Sequence, residues 1–166
     1  MVIKFRLAFH ERMAVRFLNT LALENAHILK ANPDLPLLYD SGVVYKREKV
    51  ETWCDYLTTL MQGHEDCDGL AAARAGELIA KGHKALRPGD AGYQAAKQLR
   101  LRSIPAEVYL TTRNPPGVPG LYHCVVRYRL KRRWDWLKDD PSARLGMNGA
   151  IDPVVLRRWR ANRRNA

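Results

Sequence analysis

A cysteine, a histidine and an aspartate stand in an order and setting that suit nucleophilic chemistry. Cys67 lies in Gln62-Gly63-His64-Glu65-Asp66-Cys67-Asp68-Gly69-Leu70, where a polar loop runs into the Ala-rich stretch 71–80. A thiol at a helix N-terminus meets unpaired backbone N–H groups and the positive end of the helix dipole, and both favour the nucleophilic thiolate. His123 opens an apolar run just after the Gly/Pro-rich loop 114–120, and Asp140 ends the next run before Pro141. In an antiparallel hairpin the start of one strand lies beside the end of its neighbour. His123 and Asp140 are therefore expected to meet, giving nucleophile, base and orienting carboxylate in the order Cys67, His123, Asp140. The competing reading of Cys67 is a small packed hydrophobe, the common fate of a free cysteine.

The elements that must position these groups are legible to different degrees. Met13, Val15, Phe17, Leu18, Leu21, Ala26, Ile28 and Leu29 predict an amphipathic helix from Glu11 to Asn32, stopped by Pro33. Residues 33–45 hold two prolines and a glycine and read as extended chain with a turn at Asp40 to Gly42. A second helix is predicted from Val50 to Met61, with Trp53, Tyr56, Leu57 and Leu60 on one face and Cys54 within it as a packing residue. Gly63 breaks it. The Cys67 helix then runs to about Lys81 with Gly82 as its C-cap, and its small side chains suit a central helix pressed against other backbone. Residues 83–103 read as an excursion with a short helix between Ala91 and Leu101. Strands follow at Ile104–Arg113, Leu121–Leu130 and from Trp134 to Lys138, the last two forming a hairpin. Val2–Ala8 reads as a short edge strand. Asp152-Pro153 opens a last helix carrying Arg157, Arg158, Arg160, Arg163 and Arg164.

The totals limit the function classes. The 166 residues suit a single domain, with a core of about 35–147 and a basic extension at 148–166. No apolar run reaches the ~18 residues of a membrane helix, and the first eight residues are too short and too charged for a signal peptide. The three cysteines Cys54, Cys67 and Cys124 are an odd number and are read as reduced thiols. Zinc ligand types are present, but there is no Cys-x-x-Cys, His64-x-x-Cys67 stands alone, and the His–Glu–Pro–Cys pattern of zinc deaminases is missing. No metal or cofactor is expected. The net charge of +11 permits contact with DNA or an acidic partner, and the arginine-rich tail is the candidate surface.

Four stretches together resemble the transglutaminase-like branch of the papain-like cysteine enzymes. The resemblance looks closer still to small transglutaminase-like proteins of tailed bacteriophages. The stretches are 35–45 (Leu35-Pro36-Leu37-Leu38-Tyr39-Asp40-Ser41-Gly42-Val43-Val44-Tyr45), 65–71 around Asp66-Cys67-Asp68, 122–127 around His123-Cys124, and 140–147 from Asp140-Pro141 to Met147. The resemblance implies an α+β fold, with a Cys-bearing central helix packed on an antiparallel sheet. It implies acyl transfer on a peptide or amide by Cys67, His123 and Asp140, as hydrolysis or as crosslinking. The setting it implies is a host cytoplasm or a virion, with a protein substrate or other virion subunits as partners; a non-catalytic virion protein that reuses the fold is the alternative. Papain-like enzymes carry a glutamine shortly before the cysteine, which makes Gln62 a candidate oxyanion donor beside the backbone N–H groups. The family's cysteine segment usually reads Asp-Cys-(Asp/Glu)-Asp-Leu, and Gly69 replaces its second acid, adding flexibility in the first turn. Glu65, Asp66 and Asp68 would raise the thiol pKa if they faced it, and are expected to serve as N-terminal helix charges or to pair with Arg74. Strand alternation predicts that Cys124 points away from the site.

Overall fold

The computed structural model describes residues 11–48, 52–112, 122–132 and 134–149, with residues 151, 153 and 156. The N-terminal strand expected at Val2–Ala8 and the tail arginines Arg157, Arg158, Arg160, Arg163 and Arg164 lie outside the described residues.

Helix α1 (Glu11–Ala31) buries Leu18, Ala22, Asn25, Ala26 and Leu29, a stripe at helical spacing, against helix α3 (Cys67–Lys81). The approach is close because the facing side chains are small. A Cβ on Gly76 of α3 would come within 2.7 Å of the Asn25 Cβ and 2.9 Å of the Ala22 carbonyl oxygen. Between these helices come a 3-10 turn at Leu38–Asp40, the short strand β1 (Val44–Tyr45), helix α2 (Tyr56–Gln62) and strand β2 (His64–Glu65), which pairs in parallel with β1.

Helix α2 begins six residues later than the sequence pattern predicts. Asp55 is its N-cap and accepts from the Thr58 N–H, while buried Asn25 accepts from the Tyr56 N–H at 2.8 Å. Two acceptors hold the helix start there. Trp53 and Cys54 are therefore outside it, and the Trp53 indole instead donates to Asp68 at 2.7 Å. Gly63 in the left-handed conformation ends α2 and turns the chain into β2.

After α3 a 3-10 turn (Gly82–Ala85) and helix α4 (Tyr93–Gln98) lead to strands β3 (Ala106–Thr112), β4 (Tyr122–Tyr128) and β5 (Leu137–Asp139). They form a three-stranded antiparallel sheet in the order β3-β4-β5, and helix α5 (Pro141–Arg144) follows directly. The protein is thus a mixed α+β structure with five described helices and this small antiparallel sheet. Strand β5 starts later than predicted. Trp134 and Trp136 stay substantially exposed, with the Trp136 ring 4.8 Å from the guanidinium groups of both Arg127 and Arg129.

Helix α3 is sandwiched between α1 and the sheet. Leu70–Ala73, Ala75 and Leu78 are fully buried; Ala71, Ala72, Ala75 and Leu78 share one core with Val108, Cys124, Val126, Tyr128 and α1, and Leu70 and Ala73 face a second with Leu38, Tyr39 and Tyr56. Edge strand β3 is covered by the Asn19 side chain, which accepts from the Val108 N–H at 2.8 Å and donates to its carbonyl at 3.3 Å. No described helix is long and apolar enough to cross a membrane.

Candidate active site

Cys67 is the first residue of α3. Asp66 caps the helix by accepting from the Asp68 N–H, so the thiol stands at the positive end of a buried 15-residue dipole. His123 follows the first residue of β4, and Asp140 lies just past the end of β5. The register pairs Val126 with Asp139, which brings the two strand ends together. His123 Nε2 lies 2.8 Å from Asp140 Oδ2. The other carboxylate oxygen caps α5, accepting from the Ala143 N–H at 3.0 Å. Asp140 is therefore fixed from both sides, and the imidazole Nδ1 is left for the thiol. The Cys67 and His123 side chains are close enough that each shifts the other's ionisation.

The electrostatics follow from these contacts. Cys67 falls from 9.0 to about 5, chiefly through a hydrogen bond from the Cys124 thiol, opposed by burial and assisted by His123. His123 rises from 6.5 to about 9, through its bond to Asp140 first and Cys67 second, against burial. Between these values the pair is a thiolate and an imidazolium, the state that makes a cysteine nucleophilic. Cys124 moves strongly upward beside the Cys67 thiolate and stays a protonated donor.

This corrects the expectation that Cys124 points away from the site. The alternation along β4 is kept, but α3 packs against the face that carries Cys124, Val126 and Tyr128. The cysteine after the histidine thus faces the helix that carries Cys67, while His123 approaches the same thiol from the strand's start.

The Gln62 side chain makes its described contact with Cys54. It is exposed at the end of α2, and its amide nitrogen lies 3.6 Å from the Cys54 sulfur. The reversal at Gly63 turns the chain before the nucleophile is reached. Cys54 is pushed up to about 11 by burial and by Glu65, the opposite of an activated thiol.

The flanking acids are absorbed locally, and none is paired with Arg74 by the described contacts. Asp66 is the cap. Asp68 accepts from the Trp53 indole and from the Gly69 N–H at 2.7 Å. Buried Glu65 accepts from the Asp66 N–H and is pushed up to about 7 by desolvation. Carboxylate oxygens of the three lie within 4.8 Å of one another. Gly69 is a packing requirement: a Cβ there would come 2.4 Å from Glu65 Cγ and 2.5 Å from Cδ. The volume of a side chain at position 69 is already filled from β2, so the glycine in the first turn is held rather than loose.

Arg74 instead organises a buried network one face over. Its Nε donates to Asp139 at 2.7 Å and its Nη1 to Glu77 at 2.9 Å and to the Ala85 carbonyl at 2.8 Å. Tyr39 donates to Asp139 at 2.9 Å, and its ring packs under the Arg74 and Arg144 guanidiniums. Asp139 and Asp140 are adjacent: the first is tied to α3 through Arg74, the second carries His123. The ion pair therefore sets the end of β5, and with it the orienting carboxylate, relative to Cys67. The available sequence signal was an Arg–Glu pair at i, i+3 on an otherwise small and apolar helix, where neither charge could reach water.

Compared with family models, curated proteins and solved structures, the chain gives no match. The functional reading therefore rests on the motifs and on this geometry.

Proposed function

We propose that the protein is a cysteine acyl-transfer enzyme of the transglutaminase/papain-like type, acting on an amide or peptide bond. The observation that carries the proposal is the placement of Cys67 at the N-terminus of a buried helix, electrostatically coupled to a His123 that is hydrogen-bonded to Asp140 at 2.8 Å. The Cys67 thiolate attacks the carbonyl carbon, and the electron pair of the C=O moves to oxygen. The His123 imidazolium donates its proton to the leaving nitrogen as the C–N bond breaks, giving an amine and a thioester. Water or a second amine then attacks the thioester, His123 takes the incoming proton, and the thiolate is restored. Asp140 holds the imidazole tautomer and ring orientation throughout.

Helix dipole and amide groups at the start of α3 favour the negative oxygen of the intermediate. The N–H groups of Asp66, Asp68 and Gly69 are taken by carboxylates, which leaves the Cys67 N–H as the first-turn donor for this role among the described residues.

The central Cys helix on an antiparallel sheet, with His and Asp on adjacent strands, supports the same class as the four motifs. A protein or peptide substrate follows from that class, and a tailed-phage setting follows from the closer resemblance.

The test is labelling by a peptide-like thiol-directed electrophile at pH 6.5, with the modified site mapped by mass spectrometry. Labelling confined to Cys67, abolished by Cys67→Ala and strongly slowed by His123→Ala, is the expected result. Equal labelling of Cys54, or indifference to His123→Ala, refutes an activated nucleophile.

A further inference from the structure

At the other end of α3, about 20 Å from Cys67 by helix rise, an open groove of about 990 Å³ is lined by Lys81, Lys84, Lys97, Arg100 and Arg102 with His83. No lining residue is acidic. Four arginines elsewhere, Arg74, Arg87, Arg127 and Arg144, are paired with carboxylates, while exposed ones such as Arg12 and Arg16 are not paired among the described residues. The five groove cations make no ion pair among the described residues. Lys81 Nζ is held at the wall by the Pro33 carbonyl at 3.0 Å, and Lys97 lies over the Tyr93 ring at 5.8 Å. Like charges are thus gathered without internal compensation, although doing so costs stability.

Backbone geometry points the same way. Arg100 has φ +49°, the one positive φ of a non-glycine residue among the described residues. It sits at the C-terminal turn of α4, where the Leu101 N–H reaches the Ala96 carbonyl at 3.2 Å and the Arg100 N–H reaches the Lys97 carbonyl at 3.1 Å. That is the Schellman pattern, and its left-handed position is normally glycine. The chain uses glycine at other left-handed positions, Gly63 and Gly92 among them. At position 100 it keeps an arginine in strained backbone, with its side chain exposed in the groove. Gly82 brings the two walls together: a Cβ there would come 2.2 Å from the Leu101 carbonyl oxygen and 2.4 Å from the Arg102 carbonyl carbon.

We propose that this groove binds the phosphate backbone of a nucleic acid. The charge is too large for one phosphate group. Gln94 and Gln98 add neutral amide donors, and Ala80 is the one apolar lining residue, so the aromatic and aliphatic anchors of a protein or membrane interface are missing. The groove residues lie outside the arginine tail in the sequence, and their reading is independent of the cysteine chemistry.

The experiment is fluorescence anisotropy of the full chain with a dye-labelled 20-base-pair DNA duplex, and with a 20-nucleotide single strand, over a salt series. Five phosphate contacts contribute about −4.5 to the slope of log K against log salt for the duplex and about −3.5 for the single strand. Replacing Lys84, Arg100 and Arg102 together by Gln is expected to flatten the duplex slope by about 2.7 and to weaken binding at least about 100-fold at 100 mM salt. Arg100→Gly separates function from folding: binding weakens roughly 8-fold with the slope falling by about one, while Tm holds or rises. Absence of binding at 50 mM salt, or an unchanged slope in the triple variant, overturns the proposal. So does loss of binding only on neutralising Arg157, Arg158, Arg160, Arg163 and Arg164, or displacement of the duplex by polyglutamate at equal charge concentration.

Discussion

The state of Cys67 can be measured against Cys54 inside the same molecule. Both are free and partly buried, but one is lowered to about 5 and the other raised to about 11. At pH 7 the thiolate fractions are then about 0.99 and about 10⁻⁴, a ratio near 10⁴. The less basic thiolate is intrinsically the weaker nucleophile; a Brønsted coefficient near 0.45 over six pKa units costs about 10^2.7. The net preference of iodoacetamide for Cys67 is about 20-fold at pH 7 and about 200-fold at pH 6. It falls tenfold per pH unit above 7 and inverts near pH 8.3, where Cys54 becomes the faster site. The cause lies in the surroundings of each sulfur: Cys124 and His123 donate to one, while burial and Glu65 oppose ionisation of the other. Quench-flow alkylation with isotope-coded reagents, read by peptide mass spectrometry from pH 5 to 9.5, gives both rates from one sample. The Cys67 rate should rise through an inflection near 5 and then hold flat to about pH 8. A Cys67 rate that climbs tenfold per unit through pH 7 to 8, as an ordinary thiol does, refutes the ion pair.

Arg74→Met leaves buried Glu77 without its cation and Asp139 with Arg144 alone at 3.5 Å, and should lower unfolding free energy by about 3–5 kcal/mol. Urea denaturation checks this, and a loss under 1 kcal/mol would show that the network is not the anchor described. Gly69→Ala should cost about 1–3 kcal/mol because its Cβ meets Glu65. In a Glu65→Ala background the same change should be neutral or stabilising, since alanine favours the helix, and a double-mutant cycle by thermal unfolding reads the coupling.

Much of what positions the site is visible from local chemistry. An Asp cap, a run of small helix formers and a terminal glycine bound α3 at Cys67–Lys81, as the pattern predicts. The apolar stripe of α1 and the hairpin that carries His123 to Asp140 are equally legible, because periodicity and short loops are properties of neighbouring residues. The start of α2 is not, since it depends on Asn25 from another helix.

Sequence alone thus determined that a thiol opens a central helix, and that a histidine and an aspartate stand at strand ends able to meet. Tertiary packing decided the rest, for a physical reason common to each case. Which face of β4 meets α3 makes Cys124 a donor to the nucleophile. The volume filled by Glu65 makes position 69 a glycine. The fully buried Arg74 ties Asp139, and so Asp140, to the helix that carries Cys67. These are contacts between residues distant in the chain, and no spacing rule encodes which distant atoms share a site.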